Sequence, residues 1–174
     1  ILLPVFILLS FLIKTGSKGP IIFKQKRIGL YGNPFWIFKF RSMITEAEKD
    51  GPQLSSQNDP RITAIGKFMR KTRLDETPQF FNVIKGDMAI VGPRPEREYY
   101  IEKIVVKAPH YKHVLKVKPG ITSWGQIKFG YAENVDEMVA RLKFDLLYVE
   151  NMSLSLDVKI LFYTAIIMIK GDGK

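Results

Sequence analysis

The chain has 174 residues and a formal net charge of +10, from 27 Lys and Arg against 17 Asp and Glu. This length suits one compact domain with its own hydrophobic core and is short for two ordinary domains. The positive charge selects anionic partners, which leaves nucleic acid, an anionic membrane surface and phosphorylated substrates open. Because cysteine is absent, disulfides, thiolate metal sites and a cysteine nucleophile are excluded, and the two histidines are too few for a histidine-built metal site.

The chain opens with an apolar segment, ILLPVFILLSFLI, at residues 1–13. A helix needs roughly 20 such residues to cross a membrane, so this segment cannot span as it stands. Pro4 predicts a bend, because a proline inside a helix removes a backbone hydrogen bond. The segment is either a bent helix that enters and leaves one leaflet, or the end of a spanning helix that begins upstream of Ile1, with Lys14 and Lys18 at its cytoplasmic end. Because the chain does not start with Met, we expect it to be a piece of a longer protein.

Basic residues dominate the first quarter of the chain, where no acidic residue precedes Glu46. A cationic face beside an apolar segment predicts attachment to anionic lipid headgroups. The basic residues in this part are Lys14, Lys18, Lys24, Lys26, Arg27, Lys39 and Arg41.

Residues 21–43 predict a β-hairpin, because β-branched and aromatic residues flank the turn cluster Tyr31-Gly32-Asn33-Pro34. Residues 46–60 are polar and rich in turn formers, which predicts a mobile surface loop, with a helical start left open. Residues 62–74 carry apolar side chains at helical spacing with basic residues between them. This pattern predicts an amphipathic basic helix that ends near Leu74.

A short helix is predicted directly after the acidic pair Asp75-Glu76. Thr77 suits its N-cap, Pro78 its first helical position and Gly86 its C-terminal stop. The pair would then stand just before a helix start, where free backbone N–H groups favour negative charge by roughly 0.3 to 1 kcal/mol.

The second half of the chain alternates short extended pieces with helices. A short buried strand is predicted at 88–91, followed by a loop at 92–95 in which two prolines hold Arg94 on a stiff backbone. A Pro-Gly turn with a short extended piece is predicted within 116–126. The predicted helices lie at 96–106, 136–151 and 154–169, the last of them in a membrane interface or in the core.

Asp75 and Glu76 are the candidate reaction centre. Five basic residues lie within the fourteen positions upstream and should lower both carboxyl pKa values, so we expect both groups to be ionised at neutral pH. Taken alone, the pair leaves two interpretations open. It is a helix cap that pairs with Arg70 or Arg73, or a site where a carboxylate attacks phosphorus or binds a hard divalent cation. Arg94 is similarly open, since a guanidinium on a rigid loop suits bidentate phosphate binding but prolines also simply shape turns.

The wider pattern decides between these interpretations. The string LDETPQFFNVIKGDM at 74–88, followed by VGPRP at 91–95, resembles the signature of the bacterial sugar transferase family, the monotopic polyprenyl-phosphate phosphoglycosyl transferases. The similarity covers nearly the whole chain and includes FKQKRIG at 23–29, FRSM at 40–43, KPGIT at 118–122 and the segment 144–157. The resemblance therefore implies that the acidic pair is an active site rather than a helix cap.

The resemblance implies specific roles for these residues. Asp75 would be the nucleophile that takes the phosphosugar from a UDP-sugar and releases UMP, and Glu76 would assist while Mg²⁺ bridges the diphosphate, with Asp75 and Glu76 on the metal side. Arg70 and Arg94 would bind substrate phosphate, with a contact to the N-terminal helix as the alternative for Arg70. The implied acceptor is a polyprenyl phosphate such as undecaprenyl phosphate, in the first membrane step of exopolysaccharide, O-antigen or glycoconjugate synthesis.

The expected fold is α+β: a small, mainly helical, membrane-associated domain with a β-hairpin and an N-terminal re-entrant or interfacial membrane helix. We expect a membrane-associated helix at 1–20 and a catalytic sugar transferase domain at 21–174. The expected location is the cytoplasmic face of the bacterial inner membrane, and the expected partners are a UDP-sugar, polyprenyl phosphate and the anionic membrane surface, with a homo-oligomer left open.

Two rival functions remain. A catalytically silent basic membrane-binding module would use the charge only for lipid contact, and the intact Asp-Glu pair speaks against it. A nucleic-acid-binding module would use aromatic residues such as Tyr31, Phe35 and Trp36 as stacking platforms. The apolar N-terminus and the absence of a known binding motif speak against that module, so nucleic acid is not an expected partner.

Overall fold

Seven α-helices and four short β-strands form the part of the chain that the computed structural model describes, residues 2–49, 51–56 and 59–171. In chain order they are α1 (Leu2–Gly16), β1 (Ile22–Ile28), β2 (Pro34–Phe40), α2 (Ala64–Lys71), α3 (Phe80–Lys85), β3 (Ala89–Val91), α4 (Glu98–Lys107), β4 (Gly120–Thr122), α5 (Trp124–Lys128), α6 (Val135–Glu150) and α7 (Leu154–Lys170). Short 3₁₀ helices occupy Leu30–Gly32, Leu74–Gln79 and Pro109–Lys116. This mixture of helices with two small sheets confirms the α+β, mainly helical part of the predicted fold.

The N-terminal apolar segment forms α1, which packs along one side. Leu9 and Ile13 are buried in a cluster with Phe40 of β2 and Met69 of α2. Burial of these side chains removes apolar surface from water and holds α1 against the hairpin. The opposite side exposes Leu3, Ile7, Leu8 and Phe11.

The relation of α1 to a membrane stays a prediction. Pro4 is the third residue of α1. A bend at Pro4 would show only against a helical turn before it, and the described residues include no such turn. Among residues 2–49, 51–56 and 59–171, no helix combines the length and the apolar character needed to cross a membrane. Whether α1 is re-entrant or part of a spanning helix therefore stays a prediction. The domain boundary at residue 20 stays a prediction too.

Arg41 joins the end of α1 to the hairpin. Its guanidinium donates hydrogen bonds to the carbonyl oxygens of Ile13 at 3.3 Å and Ser17 at 2.7 Å, and also to that of Lys18. The last carbonyls of a helix lack partners within the helix and lie at the negative end of its dipole, so a buried cation suits this position. The resemblance offered this contact to Arg70 as one alternative, but Arg41 makes it.

β1 and β2 form the predicted hairpin and pair in antiparallel fashion over their whole length. Pro34 begins β2, whereas the sequence had placed it in the turn. Side chains two residues apart on a strand face the same side. One side of the hairpin thereby presents four polar side chains to a single cavity, those of Gln25, Arg27, Lys39 and Arg41.

The helix predicted at 62–74 is shorter at both ends. Thr63 caps α2, since its hydroxyl oxygen accepts a hydrogen bond from the N–H of Gly66 at 3.1 Å. Arg73 leaves the helical conformation with a φ of 56°. Phe68, which its spacing assigned to the apolar face, is 53% exposed, so this part of the predicted apolar face is wrong.

The predicted helix start at Thr77 is wrong. Pro78 lies inside the 3₁₀ helix Leu74–Gln79, and the Thr77 hydroxyl donates to the carbonyl of Leu74 at 2.8 Å instead of capping a helix. α3 begins at Phe80. Gly86 ends α3 with a φ of 89°, which confirms the predicted stop, because glycine adopts this left-handed conformation without a steric penalty.

β3 confirms the short strand predicted at 88–91 and pairs in parallel with β4. The strand is not buried throughout, since Ile90 is 45% exposed on the open face of this two-stranded sheet. The loop at 92–95 has no regular structure, as its prolines predict. The described parts of residues 46–60 contain neither helix nor strand, and their mobility stays a prediction.

The three helices predicted in the second half are confirmed as α4, α6 and α7. α4 and α6 enclose a core cluster around Ile104 and Leu142. α7 buries Ile160 completely and leaves Phe162 65% exposed, so the helix is neither fully in the core nor free of it. α5 and the 3₁₀ helix Pro109–Lys116 were not predicted, because both are too short to show a periodic pattern.

Asp145 on α6 fixes the start of α5. Its carboxylate accepts a hydrogen bond from the N–H of Gly125 at 3.1 Å, and the Ser123 hydroxyl is a second donor. A Cβ atom at Gly125 would lie 2.8 Å from both carboxylate oxygens, so glycine allows this close approach. Burial raises the pKa of Asp145 to about 6, against the opposing charge of Arg141.

Asn82 joins α3 to β2, and its replacement should destabilise the fold. Its side chain is fully buried, accepts from the N–H of Phe38 at 3.2 Å and donates to the carbonyl of Trp36 at 2.7 Å. Because Asn82→Ala leaves two partly buried backbone groups without these partners and removes a buried side chain, we expect the free energy of unfolding to fall by about 2 to 4 kcal/mol in urea titrations. Ile84→Ala is the control on the same helix, 82% exposed, and should change stability by less than about 0.5 kcal/mol. Equal losses in both variants would contradict this role.

The buried carboxyl group of Asp145 predicts a pH-dependent stability. Its pKa of about 6 in the folded protein exceeds the value of about 3.9 in an unfolded chain, so the folded state binds more protons between these pH values. The stability of the wild type relative to Asp145→Asn should therefore fall by about 2 to 3 kcal/mol as the pH rises from 4 to 6.5. Urea unfolding of both proteins across this range measures the difference. Asp136→Asn removes an exposed carboxyl on the same helix, so its free energy of unfolding should change with pH as that of the wild type does. A difference in free energy of unfolding between the wild type and Asp145→Asn that does not change with pH would refute the prediction.

Candidate active site

The acidic pair lies within the first turn of the 3₁₀ helix Leu74–Gln79 rather than before a helix. Arg73, directly before it, has a left-handed backbone with φ 56° and ψ 18°, which is uncommon for a residue that carries a side chain. This residue turns the chain out of α2 and brings Asp75 and Glu76 against β2, where Lys39 reaches Glu76.

Glu76 is surrounded by cations. Its side chain is 2% exposed; one oxygen contacts Lys39 Nζ at 2.6 Å and Arg94 Nη1 at 3.3 Å, and the other faces Arg73 Nη1 at 3.6 Å. Burial alone would raise the pKa of Glu76, but the charges of Lys39, Arg94 and Arg73 outweigh it and hold the pKa well below its ordinary value. Glu76 is ionised at neutral pH, as the sequence predicts.

Asp75 is in a different environment although it is the adjacent residue. Its side chain is buried and accepts no hydrogen bond from any residue that the structure describes. Burial and the negative charge of Glu76 raise the pKa of Asp75 to about 6, against the opposing charges of Lys39, Arg70 and Arg73. The expectation that nearby cations lower both pKa values is therefore wrong for Asp75, because burial and repulsion exceed the attraction. At pH 7 most of this carboxyl group is still ionised.

The helix-cap interpretation accounts for only half of the pair. Glu76 does pair with Arg73, as that interpretation expects. Asp75 makes no such pair with a described residue and instead borders a cavity. An ionisable side chain that is buried, unpaired and open to a cavity is typical of a functional site.

The cavity beside Asp75 has a volume of about 270 Å³ and lies between the hairpin, α2, the loop 92–97 and α6. The structure brings Asp75, Arg70 and Arg94 together at its wall, whereas Glu76 lies behind the wall. Cations outnumber acids in the lining, so the cavity suits a polyanionic ligand. The cationic lining residues are Arg27, Lys39, Arg41, Arg61, Arg70, Arg94, Arg97 and Arg141, and the acidic ones are Glu48, Asp75 and Glu96.

Arg70 has only neutral hydrogen-bond partners among the described residues. Its Nε donates to the Ser42 hydroxyl at 2.9 Å and one Nη donates to the Ser55 hydroxyl at 2.7 Å. Two hydroxyl groups orient the guanidinium without neutralising it. Arg70 therefore keeps its full charge for a ligand in the cavity, close enough to Asp75 to lower the pKa of that residue.

Arg94 is held by its loop and by a ring. Pro93 and Pro95 on either side are buried, which fixes the backbone. The guanidinium contacts Glu76 and lies 5.5 Å from the centre of the Tyr131 ring, within the range of a cation–π interaction. The charge of Glu76 outweighs burial and raises the pKa of Arg94, so this side chain is a permanent cation in the lining of the cavity that Asp75 borders.

The far wall of the cavity is a buried ion-pair network. Glu96 accepts from Arg27 at 3.3 Å and from Arg141 at 2.6 Å. The Nε–H groups of Arg27, Arg41 and Arg141 are buried and have no acceptor among the described residues.

Several site residues were missed by the sequence analysis. Lys39 and Arg41 are two residues apart on the hairpin, as are Gln25 and Arg27, so strand alternation could have placed both pairs on one face. Other members come from distant segments and carry no local signal. These are Arg97, Tyr131 and Arg141.

Comparison with known proteins gives the family. The family model described as "Bacterial sugar transferase" matches residues 1–171. A UDP-N-acetylgalactosamine-undecaprenyl-phosphate N-acetylgalactosaminephosphotransferase of Aeromonas hydrophila is 42% identical over 170 residues, which covers 98% of this chain and 40% of that protein. Two UDP-glucose:undecaprenyl-phosphate glucose-1-phosphate transferases, of Klebsiella pneumoniae and Escherichia coli (strain K12), are 43% and 44% identical over 92% of this chain and 35% of each relative.

This chain thus spans less than half the length of these three relatives. The match nevertheless includes every residue placed around the acidic pair. With agreement along almost its whole length, the chain belongs to the bacterial sugar transferase family.

Proposed function

We propose that this chain is a catalytic domain that transfers a sugar 1-phosphate from a UDP-sugar to a polyprenyl phosphate, through a covalent intermediate on Asp75 and with release of UMP. The observation that carries the proposal is the placement of Asp75, a buried carboxyl without a hydrogen-bond partner among the described residues, at the wall of a cation-lined cavity. An ionised carboxylate can attack phosphorus when nearby cations offset the charge of the substrate.

The names of the relatives support the class of reaction. All three act on a UDP-sugar and on undecaprenyl phosphate. Their sugars differ, with N-acetylgalactosamine in one and glucose in two. The proposal therefore commits to a UDP-sugar donor and an undecaprenyl-type acceptor, and leaves the sugar open.

The proposed reaction has two displacements at one phosphorus atom. In the first, an Asp75 carboxylate oxygen bonds to the phosphorus that carries the sugar, and the bond from that phosphorus to the bridging oxygen breaks. UMP leaves with the bonding electron pair. In the second, a phosphate oxygen of the lipid carrier attacks the same phosphorus and breaks its bond to Asp75. The products are a polyprenyl diphosphate sugar and the regenerated carboxylate.

The surrounding residues divide the remaining work. Arg70, with neutral partners, binds a phosphate of the donor, and Arg94 offsets the charge that develops on the departing phosphate. Glu76 assists from behind the wall by holding Lys39 and Arg94 in the lining of the cavity that Asp75 borders. Such preorganised charges lower a barrier because they need no rearrangement during the reaction.

Mg²⁺ is the cofactor in this proposal, since it is commonly bound by one or two carboxylates together with substrate phosphates. The described residues include no group of three or more His, Asp or Glu that could hold a metal, so the remaining ligands would come from the diphosphate and from water. Asp75 fits as a ligand because its oxygens are not taken by hydrogen bonds from described residues. Glu76 fits less well, because its oxygens already face Lys39, Arg94 and Arg73. When bound, the ion would neutralise charge on the diphosphate.

The proposed place of action is the cytoplasmic face of the bacterial inner membrane. A lipid carrier and a soluble nucleotide sugar must meet at one carboxylate, which requires a site at an interface. The apolar side chains that α1 and α7 expose, together with the net charge of +10, support attachment to an anionic lipid surface. The exposed residues include Ile7, Phe11, Leu154, Val158 and Phe162.

Asp75→Asn tests the nucleophile directly. Purified wild-type protein with a set of UDP-sugars and Mg²⁺ should gain the mass of a phosphosugar on Asp75 and release UMP, because the carboxylate forms a covalent bond to phosphorus. The variant should form no adduct and lose at least about 1,000-fold in transfer rate, as is usual when a covalent nucleophile is removed. Intact-protein mass spectrometry and UMP release measure both quantities.

Asp136→Asn is the control for the same chemical change at an exposed carboxyl, and it should keep the wild-type rate. Transfer by Asp75→Asn at the wild-type rate would refute the nucleophile assignment. Absence of both adduct and UMP release in the wild type, with every UDP-sugar tried, would instead favour the catalytically silent module.

Arg70 should act mainly on donor binding. Arg70→Ala removes a charge-assisted hydrogen bond worth about 1.5 to 3 kcal/mol, so KM for the UDP-sugar should rise about 10- to 150-fold. Arg70→Lys keeps the charge but loses the bidentate geometry of the guanidinium, so its KM should lie between those of the wild type and Arg70→Ala. Lys67→Ala, at an exposed position of the same helix, is the matched control for loss of a charge. A KM for Arg70→Ala within twofold of the control would contradict phosphate binding by Arg70.

A further inference from the structure

Gln126 lies behind the active-site cavity, in the middle of α5, with 3% of its surface exposed. Its side-chain amide meets two guanidinium groups, Arg94 Nη1 at 2.6 Å and Arg73 Nη1 at 3.2 Å. A guanidinium can only donate hydrogen bonds, so the amide oxygen of Gln126 must face both arginines, since the NH₂ group would set donor against donor. One neutral acceptor thus serves two cations.

The same two nitrogen atoms also contact Glu76. Arg94 Nη1 lies 3.3 Å from one carboxylate oxygen and Arg73 Nη1 lies 3.6 Å from the other. Glu76, Arg94, Gln126 and Arg73 therefore form a closed ring of four groups, in which Arg94 is partly buried and the other three are buried. The Tyr131 ring covers both guanidinium groups, at 5.5 Å from Arg94 and 5.8 Å from Arg73.

The backbone of Gln126 is fixed independently of the arginines. The Ser123 hydroxyl accepts from the N–H of Gln126 at 3.0 Å, and Asp145 accepts from the N–H of Gly125 at 3.1 Å. The amide oxygen is consequently presented from a rigid support, which is what accurate placement of a charged side chain requires.

Only one of the two arginines borders the cavity. Arg94 lines the cavity with Asp75, whereas Arg73 does not border it. A neutral amide can orient Arg94 without reducing its charge, whereas a carboxylate at this position would compete with the substrate phosphate for that charge.

We propose that Gln126 is a positioning residue for phosphosugar transfer, which acts by holding the Arg94 guanidinium between Glu76 and the cavity. The inference rests on the proposed function for its kinetic consequence and on the geometry of the ring alone for the placement of Arg94. Gln126 touches neither the cavity nor Asp75, so it acts through Arg94.

Gln126→Met tests the hydrogen bonds separately from packing, because methionine has a similar length but offers no comparable acceptor. Without the acceptor, Arg94 loses its alignment to the departing phosphate, and a misplaced catalytic group costs about 10- to 100-fold in rate. We expect kcat to fall by about this factor while KM for the UDP-sugar stays within about threefold, since the charge remains in the cavity. If Gln126 only filled space, the methionine variant would keep the wild-type kcat, and the proposal would be overturned.

Gln126→Glu keeps both hydrogen bonds and adds a negative charge. Arg94 should stay in place, so kcat should remain within about threefold of the wild type, while KM should rise about tenfold because the added charge offsets part of the cationic field. A loss of kcat as large as that of Gln126→Met would overturn the proposal. Lys128→Met, exposed on the same helix, is the matched control and should leave both parameters unchanged.

A second readout does not depend on turnover. Labelling with phenylglyoxal, quantified on the Arg94 peptide by mass spectrometry, should be at least about fivefold faster in Gln126→Met than in the wild type and unchanged in Gln126→Glu, because only the first variant frees the guanidinium. Equal labelling in all three proteins would overturn the placement of Arg94 by Gln126. If the wild type released no UMP, the proposed function would be refuted. The labelling result would still show whether Gln126 holds Arg94.

Discussion

The buried carboxylate of Glu76, faced by three cations, is the interaction on which the site depends. It connects the hairpin through Lys39, the end of α2 through Arg73 and the loop after β3 through Arg94. A carboxylate with 2% exposure is stable only with such partners, and removal of one partner of a buried pair commonly costs about 3 to 5 kcal/mol. Three segments that are distant in sequence are thereby held around one point, and Asp75 lies at that point.

The same interaction gives two adjacent acids opposite properties. Glu76 takes the direct contacts with the cations, which lower its pKa. Asp75 is buried and is repelled by the charge of Glu76, and both effects raise its pKa to about 6. Its oxygens accept no hydrogen bonds from described residues. Environments that push the pKa values of two neighbouring groups apart are a common way to assign them different tasks. The proposed division, with Asp75 as nucleophile and Glu76 as charge anchor, follows from this difference.

The charge left over for a ligand is also set by burial and pairing. On the far wall Glu96 offsets Arg27 and Arg141, and Glu48 pairs with Arg97 at 2.6 Å. Arg70 and Arg41 differ, because neutral groups orient them without neutralising them. Of these two, Arg70 is close enough to Asp75 to lower the pKa of that residue. Support from α5 and α6, through Asp145, keeps the surrounding groups in place.

The sequence by itself determined the hairpin, the helices α4, α6 and α7, the stop at Gly86 and the family, because these depend on local periodicity, turn chemistry or ordered strings of residues. It also identified Asp75 and Glu76 as the acids of interest. Only the tertiary structure decided that Asp75 has no hydrogen-bond partner among the described residues, whereas Glu76 contacts three cations. It also decided that Arg41 rather than Arg70 binds the end of α1 and that Gln126 contacts Arg94 and Arg73. These outcomes depend on burial and on distances between segments far apart in the chain, and Coulomb and desolvation energies change steeply with both.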